Sequence, residues 1–125
     1  MRYKTGYRIL DLDWNTNTFR TLFHAVNGSR VIRTGKFIKA DNKLVTDGKS
    51  TQYMSGFHVF KNLDDCLKYS RKFGKRDKRV VVEVDYAGGR PKLHSKAPVI
   101  LADWMRVPIY YPYHFTLSFY DKHKS

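Results

Sequence analysis

Apolar and polar positions along this chain alternate at a period of two more often than they recur at helical spacing. Tyr7, Ile9 and Leu10 open an apolar segment, and Asn15-Thr16-Asn17 marks a turn after it. Phe19, Leu22, Phe23, Ala25 and Val26 form the next apolar set, closed by Asn27-Gly28, a strong hairpin-turn dipeptide. Val31, Ile32, Phe37 and Ile38 predict a strand or a short helical turn around Gly35. The polar run from Asp41 to Thr51, ending in Asp47-Gly48-Lys49-Ser50, is expected as a surface loop. Tyr53 to Phe60 returns to a strand pattern, and Gly56 within it predicts a bulge or a close backbone approach.

The pattern changes to helical spacing between Leu63 and about Phe73. Leu63, Cys66, Leu67, Ser70 and Phe73 share one face. Asn62 is placed to cap the start, and Asp64 and Asp65 sit in the first turn, where the helix dipole favours acids. Gly74 is the expected stop. Arg79 to Tyr86 follows as a strand, with Val80, Val82 and Val84 alternating with Val81, Glu83 and Asp85. Ala87-Gly88-Gly89-Arg90-Pro91 breaks it. Pro98 to Val107 is another apolar segment, Pro108 and Pro112 punctuate its end, and Tyr113 to Tyr120 alternates as a final strand. Together these predict an α+β fold: a compact, strand-rich single domain, an antiparallel or mixed sheet packed with one main amphipathic helix at about residues 63–73.

Charge adds what the pattern cannot. The 125 residues carry 24 Lys+Arg against 11 Asp+Glu, a formal net charge of +13. With 42% hydrophobic residues the chain can still fill a core, so it is not a disordered basic tail. Lys68, Arg71, Lys72, Lys75, Arg76, Lys78 and Arg79 fall within twelve positions, opposed only by Asp77. Arg33 and Lys36 belong to a second set with Arg30 and Lys39. Arg90, Lys92, His94 and Lys96 form a third. Such a field attracts polyanions, and lysine and arginine position phosphates without reading sequence. The expected partner is nucleic acid or a ribonucleoprotein, and the ordinary alternative is a solvated face. Tyr110, Tyr111 and Tyr113 are candidate stacking rings in a Pro-flanked setting.

Other chemistry is weakly represented. His24, His58, His94, His114 and His123 are too widely spaced for a metal motif, so no metal is expected. Cys66 is the only cysteine, which excludes an internal disulfide and fits a cytoplasmic protein. It lies on the apolar helix face, where a thiol is usually inert. No apolar run follows Met1 as a leader would require, and none is long enough to span a membrane, so no membrane partner is expected. Oligomeric state is open.

Gly56-Phe57-His58, Val82-Glu83-Val84, His94-Ser95 and Leu101-Ala102-Asp103-Trp104-Met105-Arg106-Val107, with Leu22-Phe23 and Gly35-Lys36-Phe37 before them, resemble a family of small, uncharacterised phage and prophage proteins over about residues 20–107. The resemblance brings no assigned activity; the clustered charge and the absence of a catalytic set lead to a small accessory protein, acting in the host-cell cytoplasm if phage-encoded, with interference in host defence, in the style of an anti-CRISPR protein, as one version. A virion-associated structural role is another reading. Leu22-Phe23-His24, Gly56-Phe57-His58 with Tyr69, and Glu83 are also similar in order to the ADP-ribosyltransferase fold. That resemblance implies NAD as cofactor: His24 on its ribose, Phe57 or Tyr69 against the nicotinamide, Glu83 polarising the acceptor. His58 belongs to the same set. Ala25-Val26 stand after His24 where those enzymes carry Gly-Thr.

Overall fold

A computed structural model of the protein describes residues 2–22, 29–41, 44–46, 52–93, 95, 97–109 and 115–123. Its centre is β1 (Lys4–Asp13), whose positions alternate between two covered faces. β8 (Arg79–Ala87) runs antiparallel beside it from Lys4↔Tyr86 to Asp11↔Arg79. On the other side β7 (Phe57–Phe60) meets β1 at Tyr7↔Phe60. β2 (Thr18–Arg20) folds back on the end of β1 through the Asn15-Thr16-Asn17 turn, where Asn17 adopts φ +53°. β3 (Val31–Ile32) adds to β2, and every described pairing is antiparallel.

The apolar run from Pro98 to Val107 is not one straight strand. Its first half, β10 (Val99–Ala102), pairs with β7, and its second, β11 (Trp104–Arg106), pairs with β8. Asp103 stands at the bend, and through it the sheet curls round to meet itself. Glycines make room for that bend. A side chain at Gly89 (φ +100°) would put its Cβ 2.2 Å from the Leu101 carbonyl oxygen, and one at Gly56 would meet the Ala102 carbonyl at 2.9 Å. The close approach expected at Gly56 is therefore present. β4 (Ile38–Lys39) and β9 (Arg90–Pro91) extend the two edges, beside β11 and β10.

Inside the curl, Leu10, Val59, Val82, Val84, Ala102 and Met105 have no exposed surface. Apart from Ala102, each of these side chains contributes about 1.5–3 kcal/mol of burial. On the outside, Ile9, Phe60, Val81 and Val99 are covered by Cys66 and Leu117 from two short helices, α1 (Leu63–Ser70) and α2 (Leu117–Lys122). The odd residues of β8 thus serve the helices and the even ones the interior, as the period of two requires.

Three expectations are corrected. The helix ends at Ser70, not Phe73, and Lys75 rather than Gly74 takes the left-handed conformation, at φ +51°. The expected final strand exists only as β12 (Phe115–Thr116); α2 replaces the rest, because the Thr116 hydroxyl accepts from the Phe119 amide and caps a helix there. The expected loop from Asp41 contains β5 (Leu44–Thr46), which pairs with β6 (Gln52–Met54). The readings at His24, Asn27-Gly28, His94, Lys96, Tyr110, Tyr111, Tyr113 and His114 fall outside the described residues. No helix among the described residues is long and apolar enough to cross a membrane.

Candidate functional site

The run of seven cations begins on α1 and ends at the first residue of β8. α1 starts at Asn62, which has extended backbone (φ −119°, ψ 137°) and whose side-chain amide donates to Asp65 instead of capping an amide (3.0 Å). Its C-terminal carbonyls are closed off by the chain that follows. Arg76 Nη1 donates to the carbonyls of Ser70 (2.7 Å) and Phe73 (3.2 Å), and Arg79 Nη1 to that of Gly74 (3.3 Å). Arginine suits this work, since its planar fork satisfies several acceptors at once. Arg76 is further clamped by both oxygens of Asp121, and Arg79 by Asp11 at 3.2 Å. Arg79 is buried, with its guanidinium over the Phe73 ring.

Two of the seven expected polyanion contacts are thus turned inward. Arg79 is withdrawn from the surface, and Arg76 is a half-buried cap whose charge Asp121 already meets. The other five, Lys68, Arg71, Lys72, Lys75 and Lys78, are exposed, and none is ion-paired to a carboxylate among the described residues. Lys68 lies on α1, Arg71 and Lys72 just past its end, and Lys75 and Lys78 at the turn before β8, which is tied on several sides. The Lys78 carbonyl accepts from the Leu12 amide, the Arg76 carbonyl from Ser118, and the Asp77 carbonyl from the Trp14 indole (3.3 Å). Five cations therefore project from backbone that is held in place. Trp14 beside this turn is 59% exposed, and Tyr69 stands under the Lys72 ammonium at 4.1 Å. Exposed rings among cations are the arrangement that stacks bases while holding phosphates.

All four members of the second set are exposed. Arg30 donates to the carbonyls of Thr21 and Leu22 and pairs with Asp11, and Lys39 lies over the Trp104 ring. Arg33 and Lys36 stand on a turn fastened by the Gly35 amide to the Val107 carbonyl. That turn hangs from β11, whereas α1 rests on β1 and β7, so the two sets face different neighbours.

His58 and Glu83 are not brought to one point. Both lie on the helix-bearing face, but β1 separates their strands: Tyr7, opposite both Phe60 and Glu83, stands between them. Two strand spacings amount to roughly 10 Å. Phe57, suggested as a nicotinamide platform, is buried on the opposite, interior face. Cys66 is buried, and burial pushes its thiol up to about 12, which leaves no nucleophile at neutral pH.

Two features carried little signal in sequence. Trp14 precedes the Asn15-Thr16-Asn17 turn, and no pattern in the sequence singles it out. Arg8 sits mid-strand with its Nε sealed from solvent and without a partner, although the side chain as a whole keeps some exposure. Its Nη1 donates to the His58 carbonyl (3.1 Å), its guanidinium lies over Phe57, and burial lowers its pKa to about 10. A cation at an alternating position is ordinarily read as solvent-facing, which is why it gave no warning.

No protein-family model matches the chain, and no curated protein or solved structure matches it either.

Proposed function

We propose that this chain is a non-enzymatic binding protein for nucleic acid, free or within a host nucleic-acid–protein complex, and that it engages the phosphate backbone through Lys68, Arg71, Lys72, Lys75 and Lys78. One observation carries the reading: these five cations are exposed along the end of α1 and the fixed turn that follows it, while the arginines that fix that turn point inward. Trp14 and Tyr69 supply exposed rings beside them. Arg33 and Lys36 would extend the contact to a longer ligand. The resemblance to small phage proteins suits an accessory role of this kind in a host cell.

The test is a salt titration of binding to short single- and double-stranded DNA and RNA. Five phosphate contacts give a slope of log affinity against log salt of about −3.5 on single strands and −4.5 on duplex. Reversing Lys72, Lys75 and Lys78 to Glu, with Arg76 left intact because it caps α1, is expected to flatten that slope by about 2 to 3 and abolish binding near physiological salt. Unchanged affinity in the triple variant would sink this assignment.

A further inference from the structure

Two faces of α2 are taken up by the protein itself. Leu117 and Tyr120 pack against the sheet. Ser118 and Asp121 serve the basic turn: the Ser118 amide donates to the Arg76 carbonyl (3.2 Å), its hydroxyl to the Asp77 carboxylate, and Asp121 holds the Arg76 guanidinium. With 3.6 residues per turn, Phe119 then falls nearly opposite Leu117, and His123 follows it one turn later.

On that third face the rings form a column. Phe115 stacks on Phe119 with centroids 4.4 Å apart and planes 20° from parallel, and Phe119 stacks on His123 at 4.1 Å and 25°. His123 ends the column and is exposed. Its ring is braced as well as stacked, since Nδ1 donates to the Phe119 carbonyl (2.8 Å) and the His123 amide donates to the carbonyls of Phe119 and Tyr120. A held, near-parallel ring at the surface is what a further planar ring extends, and it loses little freedom in doing so.

Charge narrows the choice of that further ring. Lys75 and Lys78 flank the Arg76-Asp77 pair to which α2 is bonded, Lys122 is exposed on α2 itself, and the Asp121 carboxylate is engaged by Arg76. Ser118, at the turn, and His123 lie about 7.5 Å apart along the helix axis. Trp14, whose indole donates to the Asp77 carbonyl, adds an exposed ring at the same residue. A duplex offers phosphates but keeps its base faces against one another, whereas an unpaired strand offers phosphates and base faces together. We propose that the polyanion held at the turn is a single strand, one of whose bases stacks on the His123 end of the column. This rests on the reading of the turn as a phosphate contact, and adds to it the strand form and a base platform.

Fluorescence anisotropy on the intact protein tests it with three probes: a mixed-sequence DNA strand of about twelve nucleotides, an abasic strand of the same length, and the duplex. The ordinary strand is expected to bind about tenfold tighter than the abasic one, because a stacked base contributes on that order. The two should share one salt slope, because their phosphates are the same. His123→Ala should weaken the ordinary strand about tenfold and leave the abasic strand unchanged, and His123→Tyr, which keeps a ring, should retain the affinity. The comparison of the two strands on the native chain needs no variant, so it stands even if a variant folds poorly. Equal affinity for ordinary and abasic strands, tighter binding of the duplex, or a His123→Ala variant that loses nothing or loses equally on both strands overturns the proposal. In each of those cases a persisting salt slope leaves the reading of the turn intact. A flat salt dependence with all three probes overturns that reading and this proposal together.

Discussion

The two ends of β8 present positive charge in opposite ways. At the Arg79 end, five cations stand outward from α1 and the cross-tied turn after it, and the groups that hold the turn are arginines bonded to carbonyls and carboxylates beneath it. At the Ala87 end, four cations, Arg2, Lys4, Lys61 and Arg90, ring a hollow that exists because strands part there. The first arrangement suits an extended polyanion; the second gathers cations from three separate segments around a recess, and since Arg2, Lys4 and Lys61 are exposed there, both are screened by salt. The comparison also separates two kinds of residue that a charge count treats alike. In the run from Lys68 to Arg79 the last two arginines are structural, and the exposed charge is mostly lysine.

The largest contrast is expected from the backbone, since the two ends use glycine differently. Gly89 holds φ +100°, and a Cβ there would collide with backbone at Leu101 and Ala102. Gly89→Ala is therefore expected to cost about 4 kcal/mol, from strain and overpacking together. That is a large part of the stability of any small domain. Gly74, at the other end, has open space around it and no such φ. Gly74→Ala should stay within about 0.5 kcal/mol. Denaturant unfolding of the pair measures both, and equal costs would mean that the Asp103 bend does not depend on Gly89.

The arginine–lysine division comes next in size. Arg79→Ala leaves the Gly74 carbonyl without this donor and Asp11 with Arg30 as its remaining ion-pair partner among the described residues, for a cost of about 2–3 kcal/mol. Lys78→Ala, one residue earlier, should change stability by less than about 0.5 kcal/mol while weakening polyanion binding. If the two variants unfold at the same denaturant concentration, Arg79 is not the brace described above.

Much of the frame was legible in sequence, because it rests on local signals. The alternation of Val80, Val82 and Val84, the turn at Asn15-Thr16-Asn17, and the helix start after Asn62 with Asp64 and Asp65 in its first turn all stand where their patterns place them, although the Asn62 side chain does not cap the helix as expected. The end of the chain misled because a short aromatic segment satisfies both periods. Leu117 and Tyr120 pack on one face at helical spacing, and only the Thr116 cap decides for the helix. The candidate site was half legible. Its cations are contiguous, but the carboxylates that remove Arg79 and Arg76 from it, Asp11 and Asp121, lie 68 and 45 residues away. The hollow at the Ala87 end left no trace at all, since Arg2, Lys4, Lys61 and Arg90 are gathered only by the sheet.

The smallest effect concerns how the turn end stays assembled. The turn is displayed only while α1 is seated on the sheet, and Cys66 is the residue α1 buries completely. Burial raises its thiol from an ordinary 9.0 to about 12. With the folded value above the unfolded one, the stabilisation is whole below pH 9 and is lost as pH rises toward 12, because the unfolded chain alone can release the proton. Cys66→Ala leaves a small cavity but removes the titration. The stability difference between the native chain and this variant should therefore shrink by about 2 kcal/mol between pH 8 and pH 10.5. A difference that stays constant over that range would show that Cys66 ionises as readily in the folded chain as in the unfolded one, and that α1 covers its thiol far less tightly than the Ala87 end covers Tyr86.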